Sequence, residues 1–184
     1  LLNEEYLKKI KTFCLIHSKE INHTSGTRIN QRLIKSTSKA NFIVSNSHFT
    51  KKLAIKVGID SSKIRVISPG IQKPKNIEKK FAIEAKEVFK DSFPRIITVA
   101  RLEKRKGHDK ILMAIKNLKN KFPNIKYIAI GFGKEENNLK QLTKELSLEN
   151  EVVFLKNIEE NLKIALLSTS NLFLMPSRIE KKSV

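Results

Sequence analysis

The chain has 184 residues, a formal net charge of +19, 40% hydrophobic residues, one cysteine and no tryptophan. That length allows one large domain or parts of two, and the apolar content suffices for a packed core. No run is long and apolar enough to span a bilayer, and the lone Cys14 excludes an internal disulfide, which fits the cytosol.

Such a charge draws a protein toward nucleic acid or an anionic membrane surface. A nucleic-acid binder concentrates its cations on one face and interleaves aromatics that stack on bases. Here the lysines are spread through nearly every segment, and Tyr6 and Tyr127 are the only tyrosines. Most of the ten phenylalanines fall inside apolar runs and are expected in the core. Diffuse basicity with weak membrane attraction is therefore preferred to a specific nucleic-acid site.

In chain order, residues 12–17 and 41–45 read as short buried strands, 48–57 as a helix and 64–67 as a strand. Cys14, inside Phe13-Cys14-Leu15-Ile16, is expected as a buried small hydrophobe. Pro69-Gly70 marks a turn, and residues 72–93 form a charged, weakly amphipathic stretch expected to link two domains. Beyond it, strands at 95–100, 126–131, 151–155 and 171–175 alternate with helices at 108–121, 134–146 and 159–168. That alternation predicts a parallel sheet with right-handed crossovers. The expected fold class is α/β, with residues 1–71 the later part of one Rossmann-like domain and 94–184 the earlier part of a second. Both are expected to be incomplete, because the chain opens on Leu1 and stops just after a strand and turn. It is expected to be an internal piece of a longer protein.

The run Ile96-Ile97-Thr98-Val99-Ala100 passes into Arg101-Leu102-Glu103-Lys104-Arg105-Lys106-Gly107, then into a helix with Ile111, Leu112, Ile115 and Leu118 on one face. Arg101 and Lys106 thus stand in a strand-to-helix loop at the carboxyl end of a strand. In open α/β sheets that edge binds ligands. A planar donor fork beside a mobile point charge suits a phosphate or diphosphate; a solvated charged loop is the alternative. Gly131-Phe132-Gly133 lies at another strand-to-helix junction, where missing side chains let a ligand approach backbone N–H groups. Glu136 occupies the third glycine position of a dinucleotide fingerprint, and a tight turn would explain both glycines as well. His17 ends the first strand. His23, His48 and His108 lack metal-ligand spacing to any Cys or Asp and read as surface or helix-cap residues.

Taken in order, these segments resemble the retaining GT-B glycosyltransferases of glycosyltransferase family 4, the group 1 glycosyl transferases. The matching stretches are Ile16-His17-Ser18-Lys19-Glu20, Phe42-Ile43-Val44-Ser45-Asn46-Ser47, Val66-Ile67-Ser68-Pro69-Gly70-Ile71, the Arg101 to Gly107 loop, Gly131-Phe132-Gly133, Val152-Val153-Phe154-Leu155 and Leu172-Phe173-Leu174-Met175-Pro176-Ser177. The resemblance implies a GT-B fold and transfer of a sugar from a nucleotide-diphosphate donor to a glycan or lipid-linked acceptor.

It further implies that Arg101 and Lys106 stabilise the leaving diphosphate and make a metal dispensable. The nucleotide sugar is then a co-substrate, with no cofactor. His17 would face the donor sugar, with Ser18 standing where the family prefers glycine. Gly131, Gly133, Phe154 and Asn157 would fall in the nucleotide-facing loops, although Lys156 stands where the family tends to carry glycine. The family's paired glutamates are expected beyond the Pro-Ser turn; Glu180 reads as a loop residue, so the 184-residue piece is expected to be inactive alone. Location would be cytoplasmic, peripheral on the inner membrane's cytoplasmic face. The competing readings are a basic nucleic-acid-binding protein, or a GT-B relative such as a phosphorylase or sugar-nucleotide epimerase.

Overall fold

The computed structural model of the chain describes residues 10–18, 21, 26–71 and 76–178. Its contacts divide it into two compact units, Leu1–Gln72 and Lys73–Val184.

The first unit holds β1 (Phe13–Ile16), α1 (Arg28–Ser38), β2 (Phe42–Ser45), α2 (His48–Lys56), a 3₁₀ turn at Ser61–Lys63 and β3 (Ile64–Val66). The strands are parallel in the order β1-β2-β3, with Ile16 opposite Ser45 and Ser45 opposite Val66. Successive strand residues point to opposite faces. Ile16, Ile43 and Ile64 accordingly share one core with Ala40, Ala54 and Ile59. The opposite face is open among the described residues: Phe13 is 65% exposed and Leu15 63%. The Phe13 and Phe42 rings stack there with centroids 5.1 Å apart. The expectation that the phenylalanines lie mainly in the core is therefore corrected. Alternation identifies the two faces of a strand without saying which is covered. Cys14 is half-buried beside the core rather than fully buried.

Helix α1 has no counterpart among the elements expected from the sequence. Its N-cap, Thr27, accepts a hydrogen bond from the Asn30 N–H at 3.2 Å, and its buried residues are the polar Asn30 and Thr37. The Asn30 amide donates to the Ile21 carbonyl at 3.4 Å. Ile34 of the same helix packs against the core, and its apolar residues are few among polar ones.

The second unit holds α3 (Lys79–Phe89), β4 (Arg95–Val99), a 3₁₀ turn at Lys104–Lys106, α4 (His108–Leu118), β5 (Lys126–Ile130), α5 (Glu136–Glu145), β6 (Val152–Leu155), α6 (Glu160–Thr169) and β7 (Leu172–Phe173). All four strands are parallel, in the order β6-β5-β4-β7. Helices cover both faces. Ile96, Tyr127 and Ala129 meet Ile111, Leu112 and Ile115 of α4 and Leu139 of α5. On the other face Ile97, Ile128 and Ile130 meet Phe81, Ala85 and Phe89 of α3 and Leu162, Ala165 and Leu166 of α6. The stretch expected as a linker thus contains α3, whose residues at four-residue spacing lie on one face and enter this core.

The chain runs from β4 outward through β5 to β6, then crosses back to place β7 on β4's other side. The order reverses between β4 and β7, and such a switch point opens a crevice at the carboxyl ends of its strands. Thr98, fully buried, donates from Oγ1 to the Leu174 carbonyl and ties the two strands together there.

Candidate functional site

Beyond β4 the backbone keeps to the sheet for a few residues. The Ala100 N–H donates to the Ile130 carbonyl and the Leu102 N–H to the Phe132 carbonyl, both at 3.0 Å. Leu102 is completely buried and anchors the loop, while the Arg101 side chain beside it is 63% exposed. Arg101 Nη1 lies 3.0 Å from Glu103 Oε1, and Arg105 Nε lies 2.7 Å from Glu103 Oε2. One carboxylate thus bridges two guanidiniums. The hydrogen bond from Arg105 holds the Glu103 carboxyl below its ordinary range against some desolvation, and the charge of Arg101 adds to that. Lys106 is half-buried, with Nζ 3.8 Å from Met175 Sδ in the segment after β7.

Three further contacts join these segments. Gly107 takes φ 76°, and a Cβ there would collide with the Pro176 carbonyl oxygen. The Arg178 N–H donates to the Arg105 carbonyl at 2.8 Å, while its guanidinium pairs with Asp109 at 3.0 Å. The loop carrying both expected cations is therefore packed against the chain leaving β7, across the switch point.

The third strand end closes on the same loop. Gly131, at φ 150°, presses against the Ala100 carbonyl, and Gly133 against Leu102; a Cβ on either would collide with that backbone. The Glu135 N–H donates to the Leu102 carbonyl at 3.0 Å. Both glycines are thus required for loop-on-loop packing. Arg101, Lys106, Gly131 and Gly133 all stand at this edge. Phe154 is half-buried in β6 and packs against the α4-side core. Asn157, in the loop after β6, takes φ 52°, the left-handed conformation that asparagine tolerates better than most residues. His17 lies exposed just beyond β1 in the first unit. Ser18 takes φ 82° where a glycine would be unstrained. Glu20, Glu180, His23 and Lys181 lie outside the described residues.

A recess of about 160 Å³ opens beside the site between the starts of α4 and α5, lined in part by Glu103, His108, Glu135 and Arg178. None of the seven expected site residues lines it. Among the described residues no His, Cys, Asp or Glu cluster could hold a metal ion.

His108 corrects the expectation of a surface or cap residue, being only 2% exposed. Its Nδ1 lies 2.9 Å from the Tyr127 hydroxyl and its Nε2 lies 3.3 Å from the Arg101 carbonyl oxygen. A carbonyl only accepts, so Nε2 carries the proton and Nδ1 receives the tyrosine O–H. Burial lowers the His108 pKa from its ordinary value, with Lys106 acting in the same direction; the Arg101 carbonyl and Asp109 oppose it. Burial raises the Tyr127 pKa, so the phenol keeps its proton. The signal for a buried His108 is in the periodicity: it leads the same helical stripe as Ile111, Leu112 and Ile115.

The group 1 glycosyl transferase family model matches residues 79–182, more than half of the chain. The chain belongs to the glycosyl transferases group 1 family. This group 1 chain is 35% identical over 92 residues to an uncharacterised glycosyltransferase of Methanocaldococcus jannaschii, a match covering 50% of the chain and 22% of the relative. It is 31% identical over 105 residues to a GDP-mannose-dependent monoacylated alpha-(1-6)-phosphatidylinositol monomannoside mannosyltransferase of Corynebacterium glutamicum, covering 57% of the chain and 27% of that protein. The chain thus spans about a quarter of the length of these curated relatives.

Among solved structures, HepE from Anabaena in complex with UDP aligns with TM-score 0.73 at 18% identity, covering 94% of the chain and 48% of HepE. A Rickettsia africae glycosyltransferase aligns with TM-score 0.71 at 21% identity, covering 90% of the chain and 45% of that protein. Likeness at these identities establishes the fold, α/β with parallel sheets as in the GT-B glycosyltransferases.

Proposed function

We propose that this chain is part of a retaining, family 4 glycosyltransferase that transfers a sugar from a nucleotide-diphosphate donor to a glycan or lipid-linked acceptor. One observation carries the reading: Arg101 and Lys106 share a single loop at the switch point of a doubly wound sheet, packed against the ends of β5 and β7. When the sugar–phosphate bond breaks, negative charge grows on the departing diphosphate. Cations already held in place stabilise that charge without reorganising, which is often the largest contribution to a rate enhancement. Arg101 supplies a planar fork for two phosphate oxygens, and Lys106 a point charge on a flexible stem. Removal of either is expected to cost on the order of 3 kcal/mol of transition-state stabilisation.

Gly131 and Gly133 let the loop after β5 pack onto Ala100 and Leu102 and so shape the backbone that faces the donor, and the segment from Phe154 to Asn157 lies toward the nucleotide. His17 takes the donor-facing role that the family resemblance assigns. No metal is needed in this scheme, since the cations belong to the chain. A lipid-linked acceptor is supported by the name of the Corynebacterium relative, which acts on a phosphatidylinositol mannoside. The +19 charge supports peripheral attachment to an anionic membrane on its cytoplasmic face. Among the described residues no helix is long and apolar enough to cross a membrane.

Calorimetric titration of the chain with UDP and with GDP tests this reading. Binding of one of them, lost in an Arg101→Ala, Lys106→Ala double variant whose polynucleotide affinity is unchanged, is the expected result. Polynucleotide binding with a steep salt dependence, indifferent to both diphosphates, would replace it with a nucleic-acid-binding function.

A further inference from the structure

We propose that His108 is a positioning residue for the cationic loop, holding the Arg101 carbonyl so that Arg101 and Lys106 are fixed before a ligand arrives. The proposal rests on the reading of that loop as the diphosphate site.

The Arg101 carbonyl oxygen receives two N–H groups, from Glu103 at 2.8 Å and from His108 Nε2 at 3.3 Å. The first bond is local and closes only a tight turn. The second spans the loop, because Arg101 opens it and His108 stands just beyond Lys106 and Gly107. Since a peptide unit is planar, fixing the Arg101 carbonyl also fixes the direction of the Leu102 N–H, which donates to Phe132. The ring is held in turn from below. Tyr127, completely buried in the central strand β5, donates its O–H to Nδ1. That bond sets the tautomer, so the proton stays on Nε2, where it faces the carbonyl. The chain of hydrogen bonds thus runs from the sheet interior to the base of Arg101.

A histidine needed only to fill space would be replaceable by an apolar side chain of similar size. A buried ring with both nitrogens engaged is not, because without it the buried Tyr127 hydroxyl loses its acceptor and the Arg101 carbonyl keeps only its local bond from Glu103. The charged groups around His108 are Lys106, Asp109, Glu103, Lys104, Glu135 and Arg178. None of them substitutes for its bond to the Arg101 carbonyl.

The test compares His108→Leu, His108→Gln and Tyr127→Phe in the 184-residue chain. UDP and GDP serve as probes by calorimetry, and amide hydrogen exchange of Leu102 and Lys106 is followed by NMR. Glutamine keeps a donor and an acceptor but does not titrate. The expected result is about tenfold weaker diphosphate binding and about tenfold faster exchange at those amides in His108→Leu, with His108→Gln close to the parent. A folded His108→Leu chain with unchanged affinity and unchanged exchange overturns the proposal. If the parent chain binds neither diphosphate, the reading of the site falls, and the exchange rates alone decide the positioning role. If His108→Leu does not fold, Tyr127→Phe decides it: faster exchange at Lys106 supports the proposal, and parental exchange overturns it.

Discussion

The guanidinium of Arg101 lies 3.0 Å from the carboxylate of Glu103, two residues along the same loop. Glu103 therefore holds one arm of the donor fork that a phosphate would use, and an incoming diphosphate competes with it. Substituting Glu103→Gln removes that competition and one negative charge from the edge of the site. Affinity for UDP or GDP, measured by calorimetry, should rise several-fold. A fall would mean that Glu103 serves chiefly to hold Arg101 in its binding pose.

Two glycines with the same handedness of backbone separate conformational strain from collision. Gly58 takes φ 91° and has open space within 4 Å of where a Cβ would stand, whereas Gly107 takes φ 76° with Pro176 in the way. Gly58→Ala should cost about 1 kcal/mol, the ordinary penalty of a left-handed alanine. Gly107→Ala should cost about 1–3 kcal/mol more, because the Pro176 backbone must move. Urea denaturation of both variants checks the difference. Equal losses would show that the β7 segment yields freely.

The second unit is legible in the sequence because its strands are unbroken apolar runs and its helices bury stripes such as Ile111, Leu112 and Ile115. The Arg101 and Lys106 loop is legible for the same reason, since a strand and a helix bracket it. Other features are not. Helix α1 fully buries only Asn30 and Thr37 and adds Ile34 to the core, too few apolar positions to stand out among its polar residues. Helix α3 buries only Phe81, Ala85 and Phe89 among many charges, and reads as a linker. Phe13 and Leu15 follow strand alternation, but the face they occupy is open, and coverage depends on elements elsewhere in the chain. His108 is misread from residue type alone, which points to the surface, whereas its place on the helical stripe points inward.

Ser18 adopts φ 82° directly after His17. A residue with a Cβ is strained in that region, by about 1–2 kcal/mol. Ser18→Gly relieves it, less the greater freedom of glycine in the unfolded chain. A net gain of about 0.5 kcal/mol in denaturant stability is expected. A loss would mean that the serine side chain makes a bond worth more than the strain.

Because the His108 pKa is lowered on folding, the unfolded chain binds the extra proton more readily. Its contribution to stability is full above the ordinary value of 6.5 and is lost as pH falls through 6.5 toward the lowered folded value. His108→Gln has no such group. The parent chain should therefore lose more stability than His108→Gln between about pH 7.5 and about pH 5, read as urea midpoints. Parallel losses would mean that folding leaves the His108 pKa unchanged.

If the diphosphate sits where β4, β5 and β7 end together, backbone amide shifts of the chain on titration with UDP and GDP will locate it residue by residue. The shifts are expected to concentrate at residues 100–107, 131–135, 154–157 and 174–177. Shifts confined to Asn138 and Leu142 in the neighbouring recess, or to Lys90, Asn124 and Asn150 at the opposite edge of the sheet, would contradict that placement.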